Sequence, residues 1–355
     1  MPVIDADTHI DENEETWAYV EESFRALAPV TVTRPTAGKE TAPATRYWMV
    51  EGQLRRRPTR DDKRTGTVEA TRNLLDVPAR LRHMDELGVD VQVIYPSFFL
   101  RAPSDRPDLE VALCRGYNRW LADRCSQSHG RLRWVAVLPT LNMDETVKEI
   151  RFARDHGAAG VLKKGIECSD RLAGDPYFYP IYDEASQAGL AVCVHQGSGD
   201  PKYSDVSRAF GGLWHQVMPV IDACNSLAAN GIPDMFPKLR VGFIEAGSMW
   251  APYVINDLQT RHERIREFSR PFHFKSDLFK ASRFFVTYQT PEDLPLLLRY
   301  GLEDCLVLGS DYSHTDHSME LRAHQTMRDR ATAGEVSPVV VRKMLEDNPR
   351  ALYGL

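Results

Sequence analysis

The chain has 355 residues, of which 43% are hydrophobic and 26% are charged, and its formal net charge is -6. This is the composition of a globular protein with a large core, and the acidic balance disfavours nucleic acid as the main partner. We find no signal peptide, no apolar stretch long enough to span a membrane, and no CxxC pair among the six cysteines. We therefore expect a cytoplasmic protein with reduced thiols and no membrane partner.

Eight short runs rich in Val, Ile, Leu and Phe recur along the chain, as expected for strands buried on both faces. They lie at residues 3–9, 89–96, 132–139, 157–164, 190–196, 239–246, 283–289 and 305–311. Amphipathic segments lie between them, at residues 78–87, 108–126, 144–156, 176–188 and 291–300. This alternation predicts an α/β fold, a (β/α)8 TIM barrel in a single domain over residues 1–355. A doubly wound open sheet is the alternative.

The helical segments carry boundary signals in the sequence. An Asp or Thr shortly precedes a proline at three starts, and a glycine follows the apolar face of several segments. The predicted starts are Asp76, Asp175 and Thr290, and the predicted ends are Gly88, Gly157, Gly189 and Gly301.

Two long insertions interrupt the barrel pattern. Residues 10–75 follow strand 1 and contain a predicted helix at 14–27, and residues 197–238 follow strand 5 with a predicted helix near 213–230. The tail 315–355 supplies one or two helices. Since strand-to-helix loops of such a barrel emerge at the face where active sites lie, we expect both insertions beside the functional site.

Charged and imidazole side chains occur at the C-terminal ends of several predicted strands. Asp7 and His9 share one face of strand 1, because side chains alternate along a strand. His195 ends strand 5, Glu245 ends strand 6 and Asp311 ends strand 8. Burying such groups is costly without a strong partner. Together they would form a mixed nitrogen and oxygen site for a divalent metal such as Zn, Mn or Fe.

Four motifs in this order carry a family resemblance over nearly the whole chain: IDADTHI, VHQG, GSDYSH and NPRALYGL. They resemble the amidohydrolase superfamily, and more closely the branch that includes aminocarboxymuconate semialdehyde decarboxylase and the resorcylate-type decarboxylases. The resemblance implies Asp7, His9, His195 and Asp311 as ligands of one divalent metal ion, with Asp311 also transferring protons. It also implies a homodimer or larger homo-oligomer, for which the first insertion could supply the contact.

The end of strand 6 departs from the pattern of this branch. Relatives commonly carry a histidine there, whereas this chain has Glu245 in FIEAGSMW. Four roles are open for Glu245: a further metal ligand, a general base, a hydrogen-bonding partner of His195, or a salt bridge at the barrel mouth.

Several other polar residues are secondary candidates. His314 follows the strand 8 aspartate by three residues and could orient a ligand or bind substrate. His215 lies in the second insertion, on a helix that could lean over the pocket. We expect Asp5 to be a buried hydrogen-bonding residue. Lys163 and Lys164 are similar to the carbamylated lysine of other superfamily branches, but the branch named above does not usually use one.

Two chemistries share such a site. In the first, which we favour, metal-activated water hydrolyses an amide, lactone or ring substituent of a small cyclic or aromatic substrate. In the alternative, Asp311 protonates an aromatic or muconate-type acid, which then loses carbon dioxide. The Glu245 carboxylate would repel such an acid unless arginines offset it, and Arg101 and Arg208 lie in loops on the expected face. A non-catalytic barrel with a metal ion is the third possibility.

Overall fold

The computed structural model describes residues 2–35, 45–57, 60–168, 170–197, 216–264, 277–315 and 317–355. Thirteen strands occur in these residues and are numbered in chain order. Eight parallel strands form one sheet in the spatial order β1 (Ile4–His9), β5 (Val91–Tyr95), β6 (Leu132–Ala136), β7 (Gly160–Lys163), β10 (Ala191–His195), β11 (Val241–Ile244), β12 (Phe284–Tyr288) and β13 (Leu306–Leu308).

The sheet closes where β1 meets the chain after β13. Thr8 forms a parallel bridge with Tyr312, and the His9 amide donates to Tyr312 O at 3.0 Å. The Asp311 amide donates to Asp7 O at 3.0 Å. This closure confirms the predicted (β/α)8 barrel and excludes the open-sheet alternative.

Helices cover the outside of the barrel and end in a C-terminal segment. They span Val77–Leu87, Pro107–Ser126, Met143–Asp155, Tyr179–Ala188, Met218–Ala229, Ala251–Arg264, Leu294–Arg299, Ala323–Thr332, Pro338–Arg342 and Asn348–Tyr353, with a π turn at Lys343–Asp347. Shorter α-helices lie at Asp62–Thr65, Glu69–Arg72, Ile232–Met235 and Leu278–Ser282, and 3-10 turns lie at Phe98–Leu100, Pro176–Phe178 and Leu302–Asp304. Within the described ranges, none of the helices is both long and apolar enough to cross a membrane.

Side-chain caps explain several helix starts. Asp76 accepts from the amide of Ala79 and thereby confirms the predicted start of that helix. Asp175 likewise caps the turn before Tyr179–Ala188. The predicted cap at Thr290 is wrong, because the helix begins at Leu294 under Asp293, while the Thr290 hydroxyl donates to Glu320.

The first insertion folds against the barrel mouth. Its strands β2 (Val30–Arg34), β3 (Thr45–Val50) and β4 (Gln53–Arg57) form an antiparallel sheet, and β8 (Ile166–Glu167) and β9 (Arg171–Leu172) form a separate hairpin after β7. The helix predicted at 14–27 is wrong. A 3-10 turn at Glu14–Trp17 and one helical turn at Glu22–Arg25 replace it, because Trp17 and Val20 are buried and Val20 packs against Gly116.

The C-terminal motif fastens the last helix to the barrel. The Asn348 amide donates to Glu303 O at 2.9 Å and to Leu306 O at 2.7 Å. The Tyr353 hydroxyl donates to Ala6 O at 2.6 Å, inside β1. These hydrogen bonds attach the C-terminal helix to both β1 and β13, the two strands at which the barrel closes.

Candidate functional site

Four side chains from three strands meet inside the mouth of the barrel. Asp7 and His9 come from β1, His195 ends β10, and Glu245 directly follows β11. The Nε2 atoms of the two histidines lie 3.1 Å apart. Asp7 Oδ1 lies 3.3 Å from His9 Nε2 and 3.4 Å from His195 Nε2. All four side chains are buried, so the cluster is shielded from bulk water.

Two further carboxylate contacts complete the cluster. Glu245 Oε2 lies 3.2 Å from His195 Nε2, and Asp311 Oδ1 lies 3.5 Å from His9 Nε2. Both acidic residues have a left-handed backbone, with φ of 63° for Glu245 and 49° for Asp311. Such a conformation costs about 1–3 kcal/mol for a non-glycine residue and is frequent at functional sites.

The hydrogen bonds of the two histidines fix which ring nitrogen carries a proton. His9 Nδ1 lies 3.0 Å from Pro96 O, and His195 Nδ1 lies 2.9 Å from Gln196 O. A carbonyl oxygen only accepts, so each Nδ1 donates, and each neutral ring presents an Nε2 lone pair to the cluster. Two lone pairs and several carboxylate oxygens therefore converge. Donor atoms around a shared ion at about 2.1 Å lie roughly 3 Å apart, and the cluster fits one divalent metal ion.

Without a metal ion, the acidic groups of the cluster favour a proton on His195, which a bound metal ion would replace. Burial disfavours a charged His195, yet the Asp7 and Glu245 carboxylates outweigh it and raise the pKa of His195 to about 9. Burial alone would raise the pKa of Asp7, but its contacts with His195 and His9 lower it. The cluster therefore attracts positive charge, which a metal ion supplies when bound.

His314 links Asp311 to the loop after β5. Its Nδ1 lies 2.7 Å from Asp311 Oδ1, and its Nε2 lies 3.0 Å from the hydroxyl oxygen of Ser97. The Ser97 hydroxyl also donates to Ile10 O at 2.7 Å. The His314 ring stacks on that of His9, with centroids 3.8 Å apart. These contacts hold the Asp311 carboxylate in one orientation, and Ser97 carried no signal in the sequence.

An arginine from the first insertion lies at the edge of the cluster. Arg60 Nη2 lies 3.4 Å from the Ser97 hydroxyl oxygen. After burial, the positive charge of Arg60 is one of the causes that lower the pKa values of His9 and His314. Arg60 was not among the sequence candidates. The only signal was the arginine-rich run of the insertion, from Arg55 onward.

The remaining candidates lie elsewhere. Lys163 and Lys164 form ion pairs with Glu167, at 2.6 Å and 3.8 Å. Residues His215 and Arg208 lie outside the described residues. Arg101 is half-buried on the loop after Phe98–Leu100.

Glu245 also has partners on its outer side. Its Oε1 accepts from Gln196 Nε2 at 2.7 Å and from the Ser318 hydroxyl at 2.8 Å. Its Oε2 faces the two histidines. One oxygen is thus held by the protein while the other points into the cluster.

Comparison with known proteins identifies the family. The amidohydrolase family model matches residues 4–355. The chain belongs to the amidohydrolase family. It is an enzyme of this family, and the predicted branch is confirmed by a curated relative, 2-amino-3-carboxymuconate-6-semialdehyde decarboxylase of Dictyostelium discoideum. The two are 23% identical over 195 residues, which is 54% of this chain and 53% of the relative. The match spans about half the length of that relative.

Two solved structures share this fold over nearly their whole length. An amidohydrolase from Mycobacterium avium subsp. paratuberculosis K-10 is 20% identical with a TM-score of 0.78, and the match covers 99% of both chains. A 5-carboxyvanillate decarboxylase from Novosphingobium aromaticivorans DSM 12444, complexed with manganese and 4-hydroxy-3-methoxy-5-nitrobenzoic acid, is 18% identical with a TM-score of 0.70. That match covers 100% of this chain and 96% of the other. At these identities the likeness establishes the fold.

Proposed function

We propose that this amidohydrolase is a metal-dependent, non-oxidative decarboxylase of a small aromatic or muconate-type acid. The observation that carries the proposal is Arg60 at the edge of the carboxylate-rich cluster. The preference for hydrolysis depended on unbalanced negative charge at the mouth, and Arg60 supplies the cation that an anionic substrate needs. Two of the three similar proteins described above are named decarboxylases. Hydrolysis gains no specific support from them.

The proposed ligands are Asp7, His9, His195, Asp311 and Glu245. The donor atoms of Asp7, His9, His195 and Glu245 lie within 4.8 Å of one another, and Asp311 belongs to a second such group that shares His9 and Glu245 with the first. A divalent ion held by these residues would supply Lewis-acid charge that favours an anionic substrate. Glu245 takes the place that a histidine commonly has in relatives, and its anchored carboxylate suits a ligand better than a freely moving base. This assignment gives the cluster three carboxylates and two imidazoles, a donor set that favours a hard or borderline cation such as Mn or Zn.

Asp311 is the proposed proton donor. Held by His314, it protonates the ring carbon that bears the carboxylate, so that a new carbon–hydrogen bond forms. The bond to the carboxylate then breaks, its electron pair returns to the ring, and carbon dioxide leaves. Asp311 regains a proton from solvent before the next turnover. Asp311 and His314 are both buried, so few water molecules reach the Asp311 carboxylate.

Arg60 and the neighbouring loop would orient the acid. Phe98 follows Ser97 and packs edge-on against Trp17 and Trp48, with centroids 5.2 Å and 5.8 Å away. Trp17 and Trp48 are buried, whereas Phe98 is partly exposed and directly follows Ser97, which Arg60 contacts. A planar acid would therefore have an anionic end toward Arg60 and a ring beside aromatic side chains.

The test is a substrate panel with the manganese-loaded enzyme. Hydroxylated benzoates and muconate-type acids are compared with amides and lactones, while carbon dioxide and product are measured together. We expect carbon dioxide in stoichiometric amounts from at least one acid and no turnover of the amides or lactones. Hydrolysis of a neutral substrate without carbon dioxide from any acid would overturn the proposal.

A further inference from the structure

Asp5 and Ser310 form a buried hydrogen-bonded pair next to the metal cluster, where β1 meets the chain after β13. Asp5 Oδ1 accepts from the amide of Ser310 at 2.8 Å, and Asp5 Oδ2 accepts from its hydroxyl at 2.6 Å. Ser310 directly precedes Asp311, and both Asp5 and Ser310 are only 1% exposed. We propose that Asp5 is a positioning residue that holds Asp311 in place for the metal ion through Ser310. This inference depends on the metal-binding role of Asp311 in the proposed function.

The backbone around Asp311 needs such support. Its φ is 49°, in the left-handed region that side chains with a Cβ rarely adopt. Gly309, two residues earlier, approaches Asp7 so closely that a side chain at this position would clash with it. The turn between Gly309 and Asp311 is therefore tight, and the two bonds from Ser310 to Asp5 define its path.

Asp5 is itself held by a second layer of buried polar groups. Gln92 Nε2 lies 3.4 Å from Asp5 Oδ2, and Gln92 Oε1 accepts from Arg80 Nε at 2.7 Å. A guanidinium only donates, so the orientation of the Gln92 amide is fixed. His324 Nε2 lies 3.8 Å from Asp5 Oδ1. The carboxylate thus has polar neighbours on several sides and cannot rotate freely.

Arg80 contacts the other side of the same turn. Its guanidinium carbon lies 3.5 Å from the centroid of the Tyr312 ring, and its Nη1 donates to Thr71 O at 3.1 Å. Tyr312 directly follows Asp311. Arg80 therefore braces Tyr312 by stacking and Ser310 through Gln92 and Asp5, so the residues on both sides of Asp311 are held by one buried cation.

A purely structural role would not need this arrangement. A buried charged network is rarely better for stability than apolar side chains of similar volume. Partners behind metal ligands typically change metal affinity or activity by about 10- to 100-fold when removed. The position of Asp5, two residues before the proposed ligand Asp7 and bonded to the neighbour of Asp311, matches this kind of support.

The experiment measures manganese affinity in the variant Ser310→Ala by calorimetric titration of the metal-free protein. The variant loses the hydroxyl but keeps the hydrogen bond from the backbone amide of residue 310 to Asp5. We expect the dissociation constant to rise by about 10-fold, and Asp5→Asn, which keeps one acceptor oxygen, to give a similar rise. Ser310→Thr restores a hydroxyl and should return the affinity toward that of the native chain.

The matched control is Ser128→Ala. Ser128 is equally buried, and its hydroxyl donates to Cys125 O at 2.6 Å and accepts from the Leu132 amide at 2.9 Å. It lies before β6, at the end of the barrel opposite the cluster. An unchanged dissociation constant in Ser310→Ala, or an equal rise in Ser128→Ala, would overturn the inference. Because the titration uses no substrate, a failure of decarboxylation leaves this outcome readable.

Discussion

Glu245 Oε2 lies 3.2 Å from His195 Nε2, while Glu245 Oε1 is held by Gln196 and Ser318. If Glu245 is a metal ligand, Glu245→Ala should lower bound manganese to a small fraction of the native content, as measured by elemental analysis. Glu245→His should keep most of the metal, because an imidazole is a good ligand and histidine tolerates a left-handed backbone better than most residues.

The control for this prediction is Glu292→Gln. Glu292 accepts from the Ser248 amide at 2.7 Å and lies outside the metal cluster. The Glu292→Gln variant should therefore bind as much manganese as the native chain does. Full metal content in Glu245→Ala would contradict a ligand role for Glu245.

Strand periodicity explains why much of the cluster could be predicted from the sequence. Asp7 and His9 alternate with apolar residues in β1, and a parallel barrel brings the ends of β10, β11 and β13 to the same mouth. Positions one or two residues past a strand, such as Glu245 and Asp311, follow from that rule because only a short turn separates them from the barrel.

Other parts of the site depend on contacts that no local pattern records. Arg60 reaches the cluster only because β2, β3 and β4 pair and Trp48 packs against Trp17. Ser97 is an ordinary loop residue until the chain after β13 brings His314 within 3.0 Å of it. The segment at 14–27 has a helical period, yet burial of Trp17 overrides it.

His314 should affect the rate more than substrate binding. His314→Gln removes the ring that contacts Asp311 Oδ1 at 2.7 Å, so the proton donor loses its fixed orientation. We expect kcat for carbon dioxide release to fall by about 100-fold with a small change in KM. Asp311→Asn should lose turnover entirely while remaining folded by circular dichroism. Native-like kcat in His314→Gln would remove this residue from the proposed chemistry.

Arg60 should affect binding of the acid. Arg60→Met removes the cation beside Ser97 and should raise KM for an acid substrate by about 10-fold or more, because a charged hydrogen bond contributes about 1.5–3 kcal/mol. Arg106→Met is the control, since Arg106 pairs with Asp108 at 2.7 Å, and both of these side chains are exposed. Equal KM values in both variants would show that Arg60 does not contact substrate.

Glu110 should make the stability of the protein depend on pH. Burial is the main cause that raises the pKa of Glu110 to about 7, against 4.5 for an ordinary glutamate, although Lys164 opposes it. A carboxyl group whose pKa is raised by folding stabilises the folded state fully when the pH is below its pKa in the unfolded chain. This contribution disappears as the pH rises through the folded-state pKa of about 7. Glu110→Gln stays neutral and can still accept from the Leu141 amide. At about pH 8, this variant should therefore unfold at a higher urea concentration than the native chain, with a free energy of unfolding greater by up to about 3 kcal/mol. At about pH 4.5, the two proteins should differ little.

Glu167 lies near enough for its charge to act on Glu110, and it provides a control of opposite sign. Burial would raise its pKa, but ion pairs with Lys163 and Lys164 outweigh burial and lower it. Its ionised form therefore stabilises the folded state above the unfolded pKa, and that contribution is lost only as the pH falls below it. Glu167→Gln should be less stable than the native chain at about pH 8, where Glu110→Gln is more stable. Urea unfolding of both variants at the two pH values separates these effects. A Glu110→Gln variant that gains no stability over the native chain as the pH rises would show that folding does not raise the pKa of Glu110.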